Sequence, residues 1–179
     1  MIREEFGPAV EVHPRSFLLR PEADPNATFT SYRDMHWRNA QSQEEAGPFE
    51  IPEVGMPFPS GSFPGQIAAK AALRQGRELF ERFHAALFKA MFVEHRHITE
   101  SAVLAQIASE VGVDIEKFRA DVQSEQCRQE VIDDYSEAVN RYGITGIPTV
   151  VVDEKEVIVG AVPREVYREV IKRRLEERA

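Results

Sequence analysis

One cysteine, Cys127, stands among 179 residues, and the lack of a second restricts the chemistry more than anything else in the chain. It excludes an intramolecular disulfide framework and any Cys-x-x-Cys pair, and it fits a reducing compartment. Basic residues are in deficit: 22 Lys and Arg face 30 Asp and Glu, a net charge of −8. A phosphate backbone calls for a dominant basic patch, so nucleic acid is not an expected partner and the acidity reads as solubility. Long apolar runs are missing as well. No stretch nears the roughly 20 residues of a membrane span, so no membrane partner is expected. Met1 leads into Ile2-Arg3-Glu4-Glu5 without an apolar leader or a small-residue cleavage site, which gives a cytoplasmic expectation.

The length suits one domain with its own core, and no internal repeat is present. Ala9-Val10-Glu11-Val12-His13 alternates apolar and polar between Pro8 and Pro14, the pattern of a short strand, and Phe17-Leu18-Leu19 continues the apolar signal. Ser31 to Glu45 has helical composition with a broken apolar stripe. Five prolines between Gly47 and Pro64 stop regular structure there. Beyond them helical spacing takes over. Ser62 with Pro64 predicts a helix start, and Ile67, Ala71, Leu79, Phe80, Phe83, Leu87, Ala90 and Met91 share a face, with Gly76 a break or a join. Thr99, Asp114 and Ser124 read as caps of three further helices, the last carrying Cys127, Val131, Tyr135 and Ala138 on one side and ending at Gly143. Then come a strand over Thr149–Asp153, a turn at Glu154-Lys155, a strand at Val157-Ile158-Val159, and a final helix from Pro163 with Val166, Val170 and Ile171 facing inward.

The most specific motif is Gly143-Ile144-Thr145-Gly146-Ile147-Pro148-Thr149, followed by that hairpin and helix. It resembles the cis-proline loop of the thioredoxin fold. Together with Arg15-Ser16-Phe17-Leu18-Leu19-Arg20-Pro21, Gly65 to Ala72, Phe83 to Phe92 and Val103 to Ala108, the chain resembles the DsbA family in its cytoplasmic FrnE-like branch. The resemblance implies an α/β, thioredoxin-like (DsbA-type) fold with a large α-helical insertion. A single domain over 1–179 is expected, with sheet and closing helix from 1–21 and 143–179 and the insertion over about 28–142. Family members open with a strand and a helix bearing Cys-x-x-Cys. Met1 to Phe6 looks like the tail of that helix, so the N-terminal βα unit is incomplete and no catalytic residue is assigned. The vacant place in the sheet is expected to be filled by rearranged pairing of Val10–His13, by a partner chain in a homodimer, or by a further N-terminal segment; the last two are favoured.

By the same resemblance Gly146, Ile147, Pro148 and Thr149 form the substrate-binding loop, where a peptide or thiol substrate would pair by β-addition. The plainer reading is that Pro148 shapes the start of an edge strand. Three functions are weighed: a disulfide oxidoreductase relative without dithiol activity, a glutathione-dependent protein similar to 2-hydroxychromene-2-carboxylate isomerases or kappa-class glutathione transferases, and a non-catalytic peptide-binding or dimerisation module. No cofactor and no metal are expected. His95 and His97 are one residue apart, have no third ligand at a convincing spacing, and read as cations at a helix end. Cys127 reads as a small core hydrophobe. His84 reads as a packing residue. His36-Trp37 either lines a pocket or anchors the Pro-rich loop, and Phe49 to Phe63 is either a lid packed on the helices or the wall of a groove.

Overall fold

The computed structural model describes residues 2–43 and 47–178, and it divides into two compact units. One is formed by Leu18–Ile132; the other joins the chain up to Phe17 with Asp133 onward.

The first unit is helical. α2 (Ser31–Gln41) comes after the short N-terminal α1 (Ile2–Phe6) of the other unit and is capped by Thr30, whose hydroxyl accepts from the Arg33 amide. The helix ends at Gln41 with Ser42 as its C-cap, short of the expected Glu45, and residues 44–46 lie outside the described residues. α3 (Phe63–Leu73), α4 (Arg77–Phe92), α5 (Ser101–Glu110) and α6 (Ile115–Val122) complete the series. Gly76 separates α3 from α4 at φ +123°, which a side chain would resist, so the glycine is a break rather than a join. Asp114 caps α6 through the Lys117 amide, and Ser124 Oγ accepts from the Cys127 amide at the start of α7 (Glu125–Ser136). Two expected caps serve elsewhere. Ser62 Oγ accepts from the Arg20 amide at 3.0 Å, and the Thr99 hydroxyl meets His97 Nδ1 at 2.9 Å. In both cases a polar group outside the helix outcompetes the helix end.

The core of this unit is one continuous cluster in which Phe83, Ile107, Ala68, Ala71, Ala72, Ala90 and Cys127 are fully buried. Small alanines on α3 bring its backbone close to the neighbouring helices, so Phe83 and Phe118 meet with ring centroids 5.7 Å apart. The Pro-rich segment is a packed lid. Phe49 lies 5.1 Å from Phe92 and 5.8 Å from Trp37, and Phe58 is buried against Phe29 and Trp37. Trp37 is therefore the anchor, while its neighbour His36 is exposed and rests on Tyr32.

The second unit holds the sheet. β1 (Thr149–Val152) pairs antiparallel with β2 (Glu156–Val159), Thr149 opposite Val159 and Val152 opposite Glu156. Asp153 and Glu154, both at positive φ, turn the chain one residue earlier than the sequence pattern placed it. α8 (Arg164–Glu176) closes the unit, with Val170 and Ile171 buried but Val166 exposed at 36%, contrary to its expected inward face.

The strand expected at Ala9–His13 is not formed, and residues 1–21 give no strand to the sheet among the described residues. Gly7–Ala9 is a 3-10 turn, and the chain then runs extended without a ladder. Pro8 and Pro14 cannot donate to one. Side chains hold this segment instead: Asp134 Oδ2 accepts from the Ser16 amide at 2.8 Å, Arg15 reaches Asp134 Oδ1 at 3.3 Å, and Phe17 packs edge-on against Tyr135. Rearranged pairing of Val10–His13 is thereby removed as the filler of the sheet.

Candidate functional site

The loop from Gly143 to Thr149 is positioned from both ends. On the entering side, the α7 helix loosens into a π turn at Glu137–Arg141, a rare geometry that shifts the register of the residues after it. Gly143 at φ +63° then reverses the chain, its amide bonding the Val139 carbonyl, while the Ile144 amide bonds the Ala138 carbonyl. These bonds satisfy carbonyls the helix end would leave open. The buried Ile144 side chain pins the turn.

On the leaving side, the Ile147–Pro148 peptide is cis. The Thr149 hydroxyl donates to the Gly146 carbonyl at 2.8 Å and closes the turn across the proline. The Gly160 amide donates to the Pro148 carbonyl at 2.8 Å, and the Tyr167 hydroxyl donates to the Gly160 carbonyl at 3.3 Å. A brace therefore runs from α8 through the end of β2 to the loop. Sequence patterning missed it because Tyr167 and Gly160 carry no local signal for each other.

What the loop presents is apolar and open. Ile147 is 55% exposed and Val150 40% exposed. A Cβ at Gly146 would meet nothing within 4 Å, so the surface there is bare. Among the described residues β1 has one strand neighbour, β2, which leaves its other edge without a strand. Such an edge accepts an added extended chain through backbone bonds. The structure thus brings Gly146, Ile147, Pro148 and Thr149 into one exposed turn at the head of an open strand.

Cys127 occupies a different kind of environment. Its side chain is fully buried in the helical core, and burial pushes its thiol above the ordinary value, only partly offset by the Ser124 hydroxyl. A thiolate there is scarce at neutral pH, and nothing in solvent can reach it. The histidines are engaged locally. His95 Nε2 meets the Glu50 carbonyl at 2.7 Å, and His97 meets Thr99. His84 stacks on Phe80 and packs edge-on against Phe88, and this partial burial lowers its pKa. Among the described residues no group of three or more His, Cys, Asp or Glu is placed to hold a metal ion. No helix among them is long and apolar enough to cross a membrane.

A family model described as a DSBA-like thioredoxin domain matches residues 3–172. The match carries the α/β thioredoxin-like fold with its helical insertion, here with a small two-stranded sheet. The chain is 28% identical over 171 residues to the uncharacterized protein YwbO of Bacillus subtilis (strain 168), covering 92% of this chain and 82% of that one. It is 29% identical over 118 residues to the ClpXP adapter protein SpxH of the same organism, a match spanning 63% of this chain and 39% of the adapter. Among solved structures, a candidate protein disulfide isomerase from Nitrosomonas europaea aligns with a TM-score of 0.70 at 20% identity, over 88% of this chain and 80% of that one. The cytosolic disulfide reductase DsbM from Pseudomonas aeruginosa, solved with GSH, aligns with a TM-score of 0.58 at 23% identity, over 87% of this chain and 78% of that one.

Proposed function

Because the chain belongs to the DSBA-like thioredoxin domain family, we propose that its exposed loop Gly146–Thr149 binds an extended peptide or thiol partner of disulfide chemistry, while its own cysteine takes no part in exchange. Disulfide exchange needs a thiolate to attack one sulfur and a second thiol to resolve the mixed disulfide. The observation that carries the reading is the complete burial of Cys127, the chain's single cysteine. Binding needs less: an open strand edge and an exposed apolar side chain beside it, which β1 and Ile147 supply. A homodimer through the same apolar edge belongs to this reading, as does a cytoplasmic location, in keeping with the reducing compartment a lone thiol suits.

Two measurements test it. Insulin reduction with dithiothreitol as electron donor is expected to show no turnover above the protein-free rate, and turnover overturns the inactive reading. A fluorescent, alkylated insulin B chain is expected to bind, with about tenfold weaker affinity in Ile147→Glu, a loss of one apolar anchor. Equal binding by that variant removes the loop from the proposal.

A second reading, glutathione at the same loop, has one observation in its favour: the neighbour DsbM was solved with GSH. Titration calorimetry separates the two. Micromolar glutathione binding, lost in Ile147→Glu, raises this reading above peptide binding.

A further inference from the structure

The helical unit contains a hollow of about 470 Å³ that the loop reading does not use. Its walls come from five places in the sequence: Pro21; Phe63 and Ile67 on α3; Leu104 on α5; Val122 at the end of α6; and Arg128 in the first turn of α7. Most of the lining is apolar, and its volume falls in the range of small-molecule sites. Three polar side chains face the same hollow: Thr99, whose hydroxyl is engaged by His97, Ser101 at the start of α5, and Arg128 on α7.

Arg128 is the informative one. Its guanidinium lies over the Phe63 ring at 4.8 Å and makes no ion pair among the described residues. Two nearby acids, Asp121 and Glu130, are held by Arg74 at 3.5 and 3.7 Å. Glu125, one turn before Arg128 on α7, is exposed and makes no ion pair with it among the described residues. A guanidinium has two distinct surfaces. Its flat face stacks on aromatic rings, and its rim carries five N–H donors in a fork that matches a carboxylate. At Arg128 the guanidinium carbon sits over the Phe63 ring, the residue is exposed, and no ion pair engages its donors among the described residues. The stacking holds the fork in place, so less conformational freedom is lost when an anion binds.

The geometry points to a binding site for a small amphipathic monocarboxylate, its head on the rim of Arg128 with Ser101 nearby and its apolar body along Phe63, Ile67, Leu104 and Val122. A neutral molecule of the same shape would keep the apolar contact but leave the fork unmatched. A cationic one would meet Arg128 as a like charge. The inference stands apart from the loop reading, since insulin turnover or glutathione binding leaves it untouched.

The test uses octanoate, octan-1-ol and octylammonium as probes against the full chain, by calorimetry and by amide shifts in labelled protein. Octanoate is expected to bind about tenfold more tightly than octan-1-ol, with octylammonium weakest, and to weaken with added salt. Shifts should concentrate on α3, α5 and the start of α7. Arg128→Gln, an exposed substitution compatible with the fold, should bring octanoate down to the level of octan-1-ol. Ser101→Ala should weaken it about twofold. Equal binding of octanoate and octan-1-ol, an unchanged affinity in Arg128→Gln, shifts confined to other regions, or no binding by any probe would each overturn the site.

Discussion

The helical unit and the sheet unit solve the problem of burial differently. In the helical unit, apolar residues from α3 to α7 close on one another, and Phe83, Ile107, Phe118 and Cys127 have almost no exposure left. The sheet unit buries Ile144, Ile158, Val170 and Ile171, none of them completely, and leaves Ile147, Val150, Val157, Val159 and Val166 more than a third exposed. Helices satisfy their backbone within themselves and need only a matching face. A two-stranded hairpin has two edges and two faces to cover, and is marginal without further strands or helices. The helical unit therefore closes a complete core among α3 to α7, while Leu19, Tyr32, Met35, Val54, Met56 and Phe88 stay exposed around it. The sheet unit closes no side chain completely and leaves apolar exposure on the strands and beside the loop.

Phe83 is where this contrast is most easily undone. Phe83→Ala should cost about 3–5 kcal/mol in urea unfolding followed by helical circular dichroism, because the cavity lies among packed neighbours. A loss below about 1 kcal/mol would mean that the helical core is looser than its burial indicates. Next in size is the reactivity of Cys127. Ellman's reagent should label it on the order of a hundredfold more slowly in native buffer than in urea, the delay reporting the opening of the core. Rapid native labelling would undo the assignment of this thiol as closed.

Smaller effects are expected on the sheet side. Val159→Thr, at a side chain 65% exposed, should change stability by less than about 0.5 kcal/mol while lowering any concentration-dependent association seen by sedimentation. A large loss of stability would show that this valine is covered in solution. The last is a pH effect on the tie between β2 and α8. The Arg173 guanidinium, hydrogen-bonded to Glu156, holds that carboxyl below its ordinary value of 4.5, with Arg174 adding to the effect. A carboxyl depressed in the folded state binds fewer protons there than when unfolded. Its contribution is therefore full above about 4.5 and fades as pH falls through the lowered value. Glu156→Gln should flatten the acid limb of the stability curve, and a wild-type slope in that variant would remove the tie from the account.

Much of the fold was legible from residue order, for reasons visible in particular elements. The hairpin Thr149–Val159 announces itself by β-branched residues, and α6 by Asp114 ahead of Ile115 and Phe118. The loop Gly146–Thr149 was found from its own motif. Val10–His13 misled because alternation is necessary for a strand but a partner is what makes one, and no strand lies beside it among the described residues. The caps at Ser62 and Thr99 misled because Arg20, remote in the chain, and His97, just outside the helix, claimed those hydroxyls. Asp134 gave no local sign that it would be buried to hold Arg15 and Ser16.

Residue order alone set the helices, the hairpin and the lack of a second cysteine in this chain, since periodicity and a cysteine count depend on nothing beyond order and number. Three outcomes waited on the folded chain: the sealing of Cys127, the brace from Tyr167 through Gly160 to the loop, and the unused fork of donors that Arg128 turns toward an apolar hollow. Each depends on which groups meet from different elements, and the meeting is set by packing rather than by any one segment's preference.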